Sequence, residues 1–412
     1  MTAIVGVLNK HAAAIAADSA VTMGNTHKVV NSANKIFTLS KYHPIAVMTY
    51  NNAAFMGVPW DIIIKEYRKQ LGSVSFPCVK DYILDFIDFL HARHFFCDEQ
   101  TQQHRLVLLL DMFIKICRDE IFRSKGIEIM KQSESLLEEK LNECLSKNIS
   151  ADKCPEFVSY SYDDFKEYAK DSIGSFAKHN KISNLNLLSE SFFYYLSAKF
   201  STPYYTGLVF VGYGEAEIYP SLYSIIVSLG FNDRLKYYEK NISQISEHGA
   251  EAIIVPFAQT DVTQTIIRGI NPTFQDIIYN VIGKSITSFS EAITKILDSN
   301  PSAAVLSGVI KEMDLKSIID DITHQIDIEM RNTYTNPLLN TVKSLDKEDM
   351  ANMAESFISL TSLVRRMQPG EETVGGPVDV AVISKGDGFV WINRKHYFRP
   401  ELNAPFFENY FK

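Results

Sequence analysis

The chain has 412 residues, of which 46% are hydrophobic and 22% are charged, and its formal net charge is −8. This composition is typical of a globular protein, and the length leaves room for more than one domain. The negative charge and the lack of a clustered basic face argue against a nucleic-acid-binding protein.

The first apolar runs predict a buried β-hairpin at the start of the chain. Ala3–Leu8 and Ala12–Ala17 are apolar, and the polar residues Asn9–His11 between them form a turn. Asp18 ends the second strand, and antiparallel pairing brings that end beside Thr2. This segment has neither the basic flank nor the continuous apolar run of a signal peptide, so we expect a cytoplasmic protein.

Thr2 would carry a free α-amine next to its hydroxyl once Met1 is removed, and the small Thr2 side chain favours that removal. A hydroxyl is a poor nucleophile until a base takes its proton, and an α-amine, with a pKa of about 7.7–8.0, can act as that base. A nearby lysine would favour the unprotonated amine, and a carboxylate would hold the lysine. Asp18 and Lys35 offer these two groups.

The pattern resembles the proteasome β-subunit family, especially its bacterial members without a propeptide, the heat-shock-locus peptidase and the Anbu type. The matching residues are Thr2, Asp18-Ser19-Ala20-Val21-Thr22, Gly24-Asn25 and Lys35. The resemblance implies that Thr2, Asp18 and Lys35 are catalytic. The interval from Asp18 to Lys35 is one residue longer than in the family, which indicates a bulge in the loop and leaves Lys28 as a weaker candidate.

Two further strands, Ile36–Leu39 and Ile45–Thr49, are predicted next, followed by a helix over residues 53–71. In the resembled family the junction before this helix supplies a backbone N–H to the oxyanion hole, and Asn51 or Asn52 stands there. A helix start suits this role because the helix dipole and the donor point the same way. An asparagine that simply caps the helix is the structural alternative.

The chain then has a helical pattern from Val79 to about Phe200, with apolar stripes opposite charged ones. A proteasome-type subunit needs only one or two helices between its sheets, so residues 100–200 are interpreted as a helical insertion. Its most apolar run, Leu106–Ile114, is interrupted by Asp111 and is too short to span a bilayer. The five cysteines are widely spaced, without C-x-x-C pairs or neighbouring paired histidines, so no metal site is predicted. The histidines of this segment are expected to be solvated or capping.

Strands resume at Thr206–Gly214 and Tyr223–Ser228, and a third runs from Ala252 into a polar turn at Gln259–Asp261. A helix is predicted from about Thr260, with a break around residues 269–272. In the resembled family a serine-bearing turn at this junction contacts the amine of the nucleophile, which implies such a role for the turn at Thr260. Capping of the helix by Thr260 is the alternative.

Residues 275–345 are predicted to form a second helical insertion, and Asp346–Met367 another helix. A final hairpin follows, in which a strand ending at Ile383 returns through the turn Lys385–Gly388 to Phe389–Ile392.

Gly375-Gly376, just before that hairpin, resembles a late family motif in which a carboxylate and a hydroxyl beside two glycines touch the catalytic threonine. Glu371 stands at the position of the carboxylate. Val374 replaces the hydroxyl residue, and Thr373 is its substitute.

The resemblance implies an α+β fold, a four-layer αββα sandwich of the N-terminal-nucleophile hydrolase type, with helical insertions in one domain over residues 1–412. The order of predicted elements agrees with such an assembly. The implied function is an N-terminal threonine hydrolase that cleaves amide bonds, foremost a proteasome-like peptidase. It needs no metal or organic cofactor.

The implied partners are a polypeptide or amide substrate and further copies of the chain in a ring or smaller homo-oligomer. An ATPase unfoldase is compatible with the resemblance, although no ATP-binding motif is visible, and neither nucleic acid nor a membrane is expected. Two alternatives stay open: a small-molecule amidase of the same fold, and a non-catalytic assembly protein.

Overall fold

A computed structural model describes residues 2–23, 28–129, 132–299, 301–368, 374–396 and 398–405. Its strands are β1 (Ala3–Asn9), β2 (Ala13–Ala17), β3 (Val21–Met23), β4 (Lys28–Val30), β5 (Ile36–Thr38), β6 (Ile45–Asn51), β7 (Ala54–Phe55), β8 (Val58–Pro59), β9 (Thr206–Gly212), β10 (Ser221–Phe231), β11 (Arg234–Gln244), β12 (Ala252–Ala258), β13 (Asp379–Ser384) and β14 (Gly388–Asn393). Its α-helices are α1 (Trp60–Leu71), α2 (Val79–Ala92), α3 (Glu99–Lys125), α4 (Glu134–Ile149), α5 (Tyr162–His179), α6 (Leu185–Ser197), α7 (Asp261–Arg268), α8 (Pro272–Asp298), α9 (Ala304–Glu312), α10 (Leu315–Met330), α11 (Asn336–Ser344) and α12 (Lys347–Met367).

The architecture combines helices with antiparallel sheets. One five-stranded sheet has the order β12-β1-β2-β13-β14, and another has the order β11-β10-β9-β6-β5. The described residues divide into two compact units, one within Met1–Ser32, Ile245–Ala381 and Ile392–Lys412, the other within Ala33–Gln244 and Val382–Trp391. The stacking of two sheets in four layers and the single-domain assignment stay predictions.

In the first unit, the predicted N-terminal hairpin is present. β1 pairs with β2 from Ile4↔Ala17 to Leu8↔Ala13 and, on its other side, with β12 from Ala3↔Ala258 to Asn9↔Ala252. All seven residues of β1 are buried because the strand is central. Helix α12 contacts both strands through a stripe of buried residues at helical spacing, namely Met350, Ala351, Ala354, Phe357, Ile358, Thr361 and Ser362.

Asn9 closes the hairpin and fastens it to the rest of the first unit. Its Oδ1 accepts hydrogen bonds from the N–H groups of His11 (2.8 Å) and Ala12 (3.2 Å). Its Nδ2 donates to the carbonyls of Val342 (2.9 Å) and Leu345 (3.0 Å), at the end of α11. The side chain is fully buried, so every one of these bonds is shielded from water. Asn9 is therefore part of the interior, whereas Lys10 and His11 of the same turn are partly or fully exposed.

The second unit is organised around one hydrophobic core that joins its sheet to its helices. The core side chains come from β5, β6, β9 and β10 and from α1 through α6, with large aromatics such as Trp60, Tyr67, Phe86 and Phe210 at its centre. Helices α2 and α3 contact the sheet, and α4, α5 and α6 pack against α3 or one another. The helical pattern of residues 79–200 is confirmed, and α3 to α6 share the core of the sheet. Their status as an insertion relative to a family stays a prediction.

Among the described helices, none combines the length and the apolarity that a membrane crossing requires. His91, one of the histidines expected to be solvated or capping, is partly exposed and lies in the last turn of α2. Its Nε2 lies 2.8 Å from Glu156 Oε1, and this hydrogen bond raises the pKa of the imidazole. The two residues are 65 positions apart, so no local pattern could have paired them.

The helix expected over residues 53–71 begins later than predicted, at Trp60. The short strands β7 and β8 pair with each other between β6 and that helix. Pro59 explains the difference, because proline disfavours a helical conformation in the residue before it and fits well at a helix start. Asn51 and Asn52 therefore do not stand at the helix N-terminus.

Strand β11 was missed by the sequence interpretation, since its residues mix charged, polar and aromatic side chains and its second half is mostly exposed. It is an edge strand that pairs only with β10 in the described sheet. Such edges carry charges that blunt the apolar alternation on which strand prediction depends.

Candidate active site

Thr2 lies immediately before β1 and is buried, with 4% of its surface exposed. The register of β1 with β12, which pairs Ala3 with Ala258, brings Gln259 next to it. The N–H of Gln259 donates to the Thr2 carbonyl at 3.1 Å. The backbone of Thr2 is thereby fixed by the sheet.

Asp18 binds backbone N–H groups from three different parts of the first unit. Its Oδ1 accepts from Ala3 N at 2.9 Å, and its Oδ2 accepts from Ala20 N at 3.0 Å and from Gly375 N at 3.3 Å. Its own N–H donates to the Ala3 carbonyl at 3.2 Å. The residue is only 1% exposed. The prediction that the hairpin brings Asp18 to the start of β1 is confirmed by these bonds to the neighbour of Thr2.

The two glycines of the late motif meet the end of the hairpin. Ser19 N donates to the Gly375 carbonyl at 3.0 Å, and the Ser19 hydroxyl donates to the carbonyl of Pro377. Gly376 has a φ of +74°, and a Cβ on it would lie 2.8 Å from the Asn31 Cβ and 3.2 Å from the Ser19 Cβ. The positive φ favours glycine, and the close approach of Asn31 and Ser19 leaves no room for a side chain. The Asp-Ser and Gly-Gly motifs are thus neighbours in space.

The turn after β12 is held by an arginine that the sequence interpretation missed. The guanidinium of Arg365 donates to Gln259 Oε1 and to Asp261 Oδ1, and through Nη1 to Gln368 Oε1 at 2.7 Å. Thr260 precedes α7 without a side-chain capping bond. A basic residue in the last turn of α12 is ordinary for a helix C-terminus, so no signal in the sequence singled out Arg365.

Lys35, Asn51 and Asn52 belong to the second unit. Lys35 is 4% exposed, and its carbonyl accepts from Thr49 N at 2.9 Å. Asn51 has a positive φ of 72°, and its Nδ2 donates to the Tyr205 carbonyl at 2.8 Å. The N–H of Asn52 donates to the same carbonyl at 3.3 Å.

Several residues singled out from the sequence fall outside the described part of the chain. They are Met1, Gly24, Asn25, Glu371 and Thr373. Val374 is described: it is buried, and its carbonyl accepts from the Ser362 hydroxyl of α12 at 3.3 Å. Within the described ranges, no three or more His, Cys, Asp or Glu side chains are grouped as metal ligands would be.

In chemical terms, the first unit provides a buried threonine immediately before a strand. It also provides the Asp18 carboxylate, which binds the N–H of the next residue, Ala3, and is fixed by three N–H donors in all. A rigidly oriented carboxylate can hold a neighbouring cation in one place. The hydroxyl and the carboxylate are two of the groups that hydroxyl-based nucleophilic catalysis requires.

No protein-family model matches the chain, and no curated protein matches it. Among solved structures, the helical assembly of the Anbu complex from Pseudomonas aeruginosa is 10% identical, with a TM-score of 0.30, over 99% of this chain and 93% of that chain. Anbu from Hyphomicrobium sp. strain MC1 is 8% identical, with a TM-score of 0.28, over 99% and 95% of the two chains. Anbu (ancestral beta-subunit) from Yersinia bercovieri is 8% identical, with a TM-score of 0.27, over 99% and 94%. These solved structures are all named Anbu, which is one of the types that the sequence resembles. Membership of this chain in the proteasome β-subunit family stays a prediction.

Proposed function

We propose that this chain is an N-terminal threonine hydrolase that cleaves amide bonds, as a proteasome-like peptidase does. One observation carries the proposal: the Asp18 carboxylate accepts the N–H of Ala3 at 2.9 Å, directly after the buried Thr2. The matching residue types in the order Thr2, Asp18 and Lys35 support it from the sequence.

In the proposed reaction, the Thr2 Oγ attacks the carbonyl carbon of the amide while the α-amine exposed by loss of Met1 takes the hydroxyl proton. The C–N bond breaks as the amine returns that proton to the leaving nitrogen, which leaves an ester on Thr2. Water then attacks the ester carbon while the same amine takes its proton. The bond between Thr2 Oγ and the acyl carbon breaks as the amine returns that proton to Oγ, and the acid product departs. The proposal assigns Lys35 to lowering the pKa of the amine and Asp18 to holding Lys35.

The remaining assignments complete the proposal. A backbone N–H at Asn51 or Asn52 would stabilise the oxyanion, and Asn51 is the better donor because the Asn52 N–H already donates to the Tyr205 carbonyl. Thr260 and Glu371 would contact the Thr2 amine or hydroxyl. Because a helix start is absent at Asn51 and Asn52, any oxyanion stabilisation there relies on the donors alone, without a helix dipole.

The proposed partners are a polypeptide substrate and further copies of the chain. An amide hydrolase with an open site would cut proteins indiscriminately, and assembly into a closed oligomer prevents this. Light scattering on the purified protein measures this directly, and a strictly monomeric species would remove this part of the proposal.

The proposal is tested by hydrolysis of a fluorescently labelled unfolded polypeptide. We expect activity in the natural chain and a loss of about a thousandfold or more in Thr2→Ala, because the nucleophile is gone. Thr2→Ser should keep part of the activity, and Thr273→Ala, which changes an exposed threonine of α8, should keep all of it. Equal hydrolysis by the natural chain and Thr2→Ala would refute the proposal.

Lys35→Met provides an independent check. Loss of the cation should leave the amine protonated at neutral pH and reduce kcat by about a hundredfold, with partial recovery at higher pH. If small acylated amides are turned over and unfolded protein is not, the small-molecule amidase replaces the peptidase.

A further inference from the structure

The second unit contains a half-open cavity of about 300 Å³. It lies among the loop from Asn52 to Gly57, helix α3, the segment before β9 and the end of β10. The volume is at the lower end of the range for small-molecule sites, about 300 Å³ or more. The cavity is therefore large enough for a small organic ligand.

Three side chains in its wall each have one buried polar atom without a hydrogen-bond partner in the described part of the chain. The atoms are Arg105 Nε, Thr202 Oγ1 and Ser228 Oγ, and Thr202 as a whole is only 1% exposed. A buried unsatisfied polar group costs about 1–3 kcal/mol, and native structures contain few of them. Three in the wall of one cavity point to a ligand that satisfies them.

The chemistry of these groups defines what the ligand offers. The guanidinium of Arg105 can only donate hydrogen bonds, and it forms no ion pair with any described residue. Both hydroxyls can donate as well. The ligand must therefore be an acceptor with negative charge.

The position of Arg105 depends on a glycine. Gly57 has a φ of +97°, and a Cβ there would lie 3.2 Å from Arg105 Nη2. The backbone shape favours glycine, and the missing side chain leaves room for the guanidinium. Met56, Leu108 and Leu229 form an apolar part of the remaining wall, which also includes Asn52 and Tyr204.

We propose that this cavity binds a carboxylate carried on a short aliphatic arm, with the carboxylate on Arg105, Thr202 and Ser228 and the arm against the apolar wall. A single guanidinium with neutral hydroxyls and an apolar wall suits a monoanion better than a doubly charged phosphate. The carboxylate comes either from a free small acid or from an acidic side chain of a polypeptide. The inference does not require the proposed hydrolysis, although Asn52, which is one of the two proposed oxyanion residues, also lines the cavity.

Titration calorimetry on the full chain tests the site with hexanoate, its uncharged amide hexanamide, and inorganic phosphate. We expect hexanoate to bind at millimolar concentration or below and hexanamide to bind at least about tenfold more weakly. Absence of hexanoate binding, equal binding of hexanamide, or preferential binding of phosphate would each overturn the proposal.

Variants then locate the site. Arg105→Met should weaken hexanoate binding by about tenfold or more, and Ser228→Ala by a smaller factor. Arg123→Met, which changes an exposed arginine of the same helix, should leave it unchanged. If Arg105→Met does not fold, Ser228→Ala and Thr202→Val test the site in its place. An unchanged affinity for hexanoate in both variants would overturn the proposed site.

Two short capped peptides, one with a central Glu and one with Gln in its place, separate the two sources. Tighter binding of the Glu peptide than of hexanoate identifies a polypeptide side chain as the ligand. Binding of hexanoate without binding of either peptide identifies a free small acid.

Discussion

Asp18 joins the N-terminal hairpin to the late Gly-Gly motif of the first unit. Its carboxylate accepts N–H groups from Ala3, Ala20 and Gly375, the last of them 357 positions away. This side chain consequently has a structural task as well as the catalytic one that we propose. Separating the two tasks requires a stability measurement beside the activity assay.

Asp18→Ala should destabilise the fold strongly, because it leaves three buried N–H groups without acceptors. Each such group costs about 1–3 kcal/mol, so we expect a loss of about 3 kcal/mol or more in the free energy of unfolding. Asp18→Asn keeps one acceptor oxygen and should cost less. Urea unfolding measures both, and a loss below about 1 kcal/mol in Asp18→Ala would contradict the bonding described here.

Lys236 is a second residue whose environment the sequence did not reveal. It is 1% exposed, and its Nζ donates to the carbonyls of Leu196 (2.6 Å) and Ala198 (2.7 Å) near the end of α6. Burial lowers the pKa of this amine from 10.5 to about 8.

This pKa predicts how stability depends on pH. Between about pH 8 and 10.5 the unfolded chain binds the Lys236 proton and the folded chain does not, so the free energy of unfolding rises with pH in that window. The rise should be about 3 kcal/mol over the full window and absent in Lys236→Met. Urea unfolding of the natural chain and of Lys236→Met from pH 8 upward measures the difference between their free energies of unfolding. The titration of the tyrosines is common to both proteins and therefore cancels in this difference. A slope shared by both proteins would contradict the assignment.

At the scale of elements, local patterns predicted most of the chain. The N-terminal hairpin, the helical pattern of residues 79–200, the break between α7 and α8, helix α12 and the final hairpin were all read from apolar periodicity and turn residues. The errors lie where a local signal was overlooked or is absent. Pro59 delayed the start of α1, and the charged edge strand β11 lacked the alternation of a buried strand.

Gly376 is the element-scale feature that links the late motif to the hairpin, and its replacement should be costly. Gly376→Ala would place a Cβ against Asn31 and Ser19 at a positive φ, and we expect a loss of about 1–3 kcal/mol. The matched control is Gly174→Ala inside α5, where no atom lies within 4 Å of the added Cβ.

Gly174→Ala should raise the free energy of unfolding by about 0.5–1 kcal/mol, since alanine is the better helix former. Thermal unfolding of the two variants should therefore move in opposite directions. A neutral Gly376→Ala would show that the close approach to Ser19 is not required.

At the scale of the whole molecule, the sequence predicted the residue types of the candidate site better than its contacts. Thr2 and Asp18 were found because one short hairpin carries both. The sequence did not predict the hydrogen bonds of Asp18 to Gly375 and of Arg365 to Gln259 and Asp261. Each of these bonds joins segments more than a hundred positions apart. Such contacts depend on the sheet order and on the placement of α12, which no local pattern encodes.

The proposed chemistry requires that the purified chain lack Met1, because only then does Thr2 carry a free amine. We expect the intact mass to correspond to the chain without its first methionine, whereas a small fraction that retains it would be inactive. N-terminal labelling of the two forms followed by activity measurement checks this. Activity confined to the form that retains Met1 would exclude the α-amine as the base.

The most direct measurement is the intact mass of the chain after incubation with an electrophilic inhibitor that reacts with N-terminal threonines. The account predicts one covalent adduct on Thr2 in the natural chain and none in Thr2→Ala, with Thr273→Ala behaving like the natural chain. No adduct in the natural chain, or an equal adduct in Thr2→Ala, would contradict the assignment of Thr2 as the nucleophile.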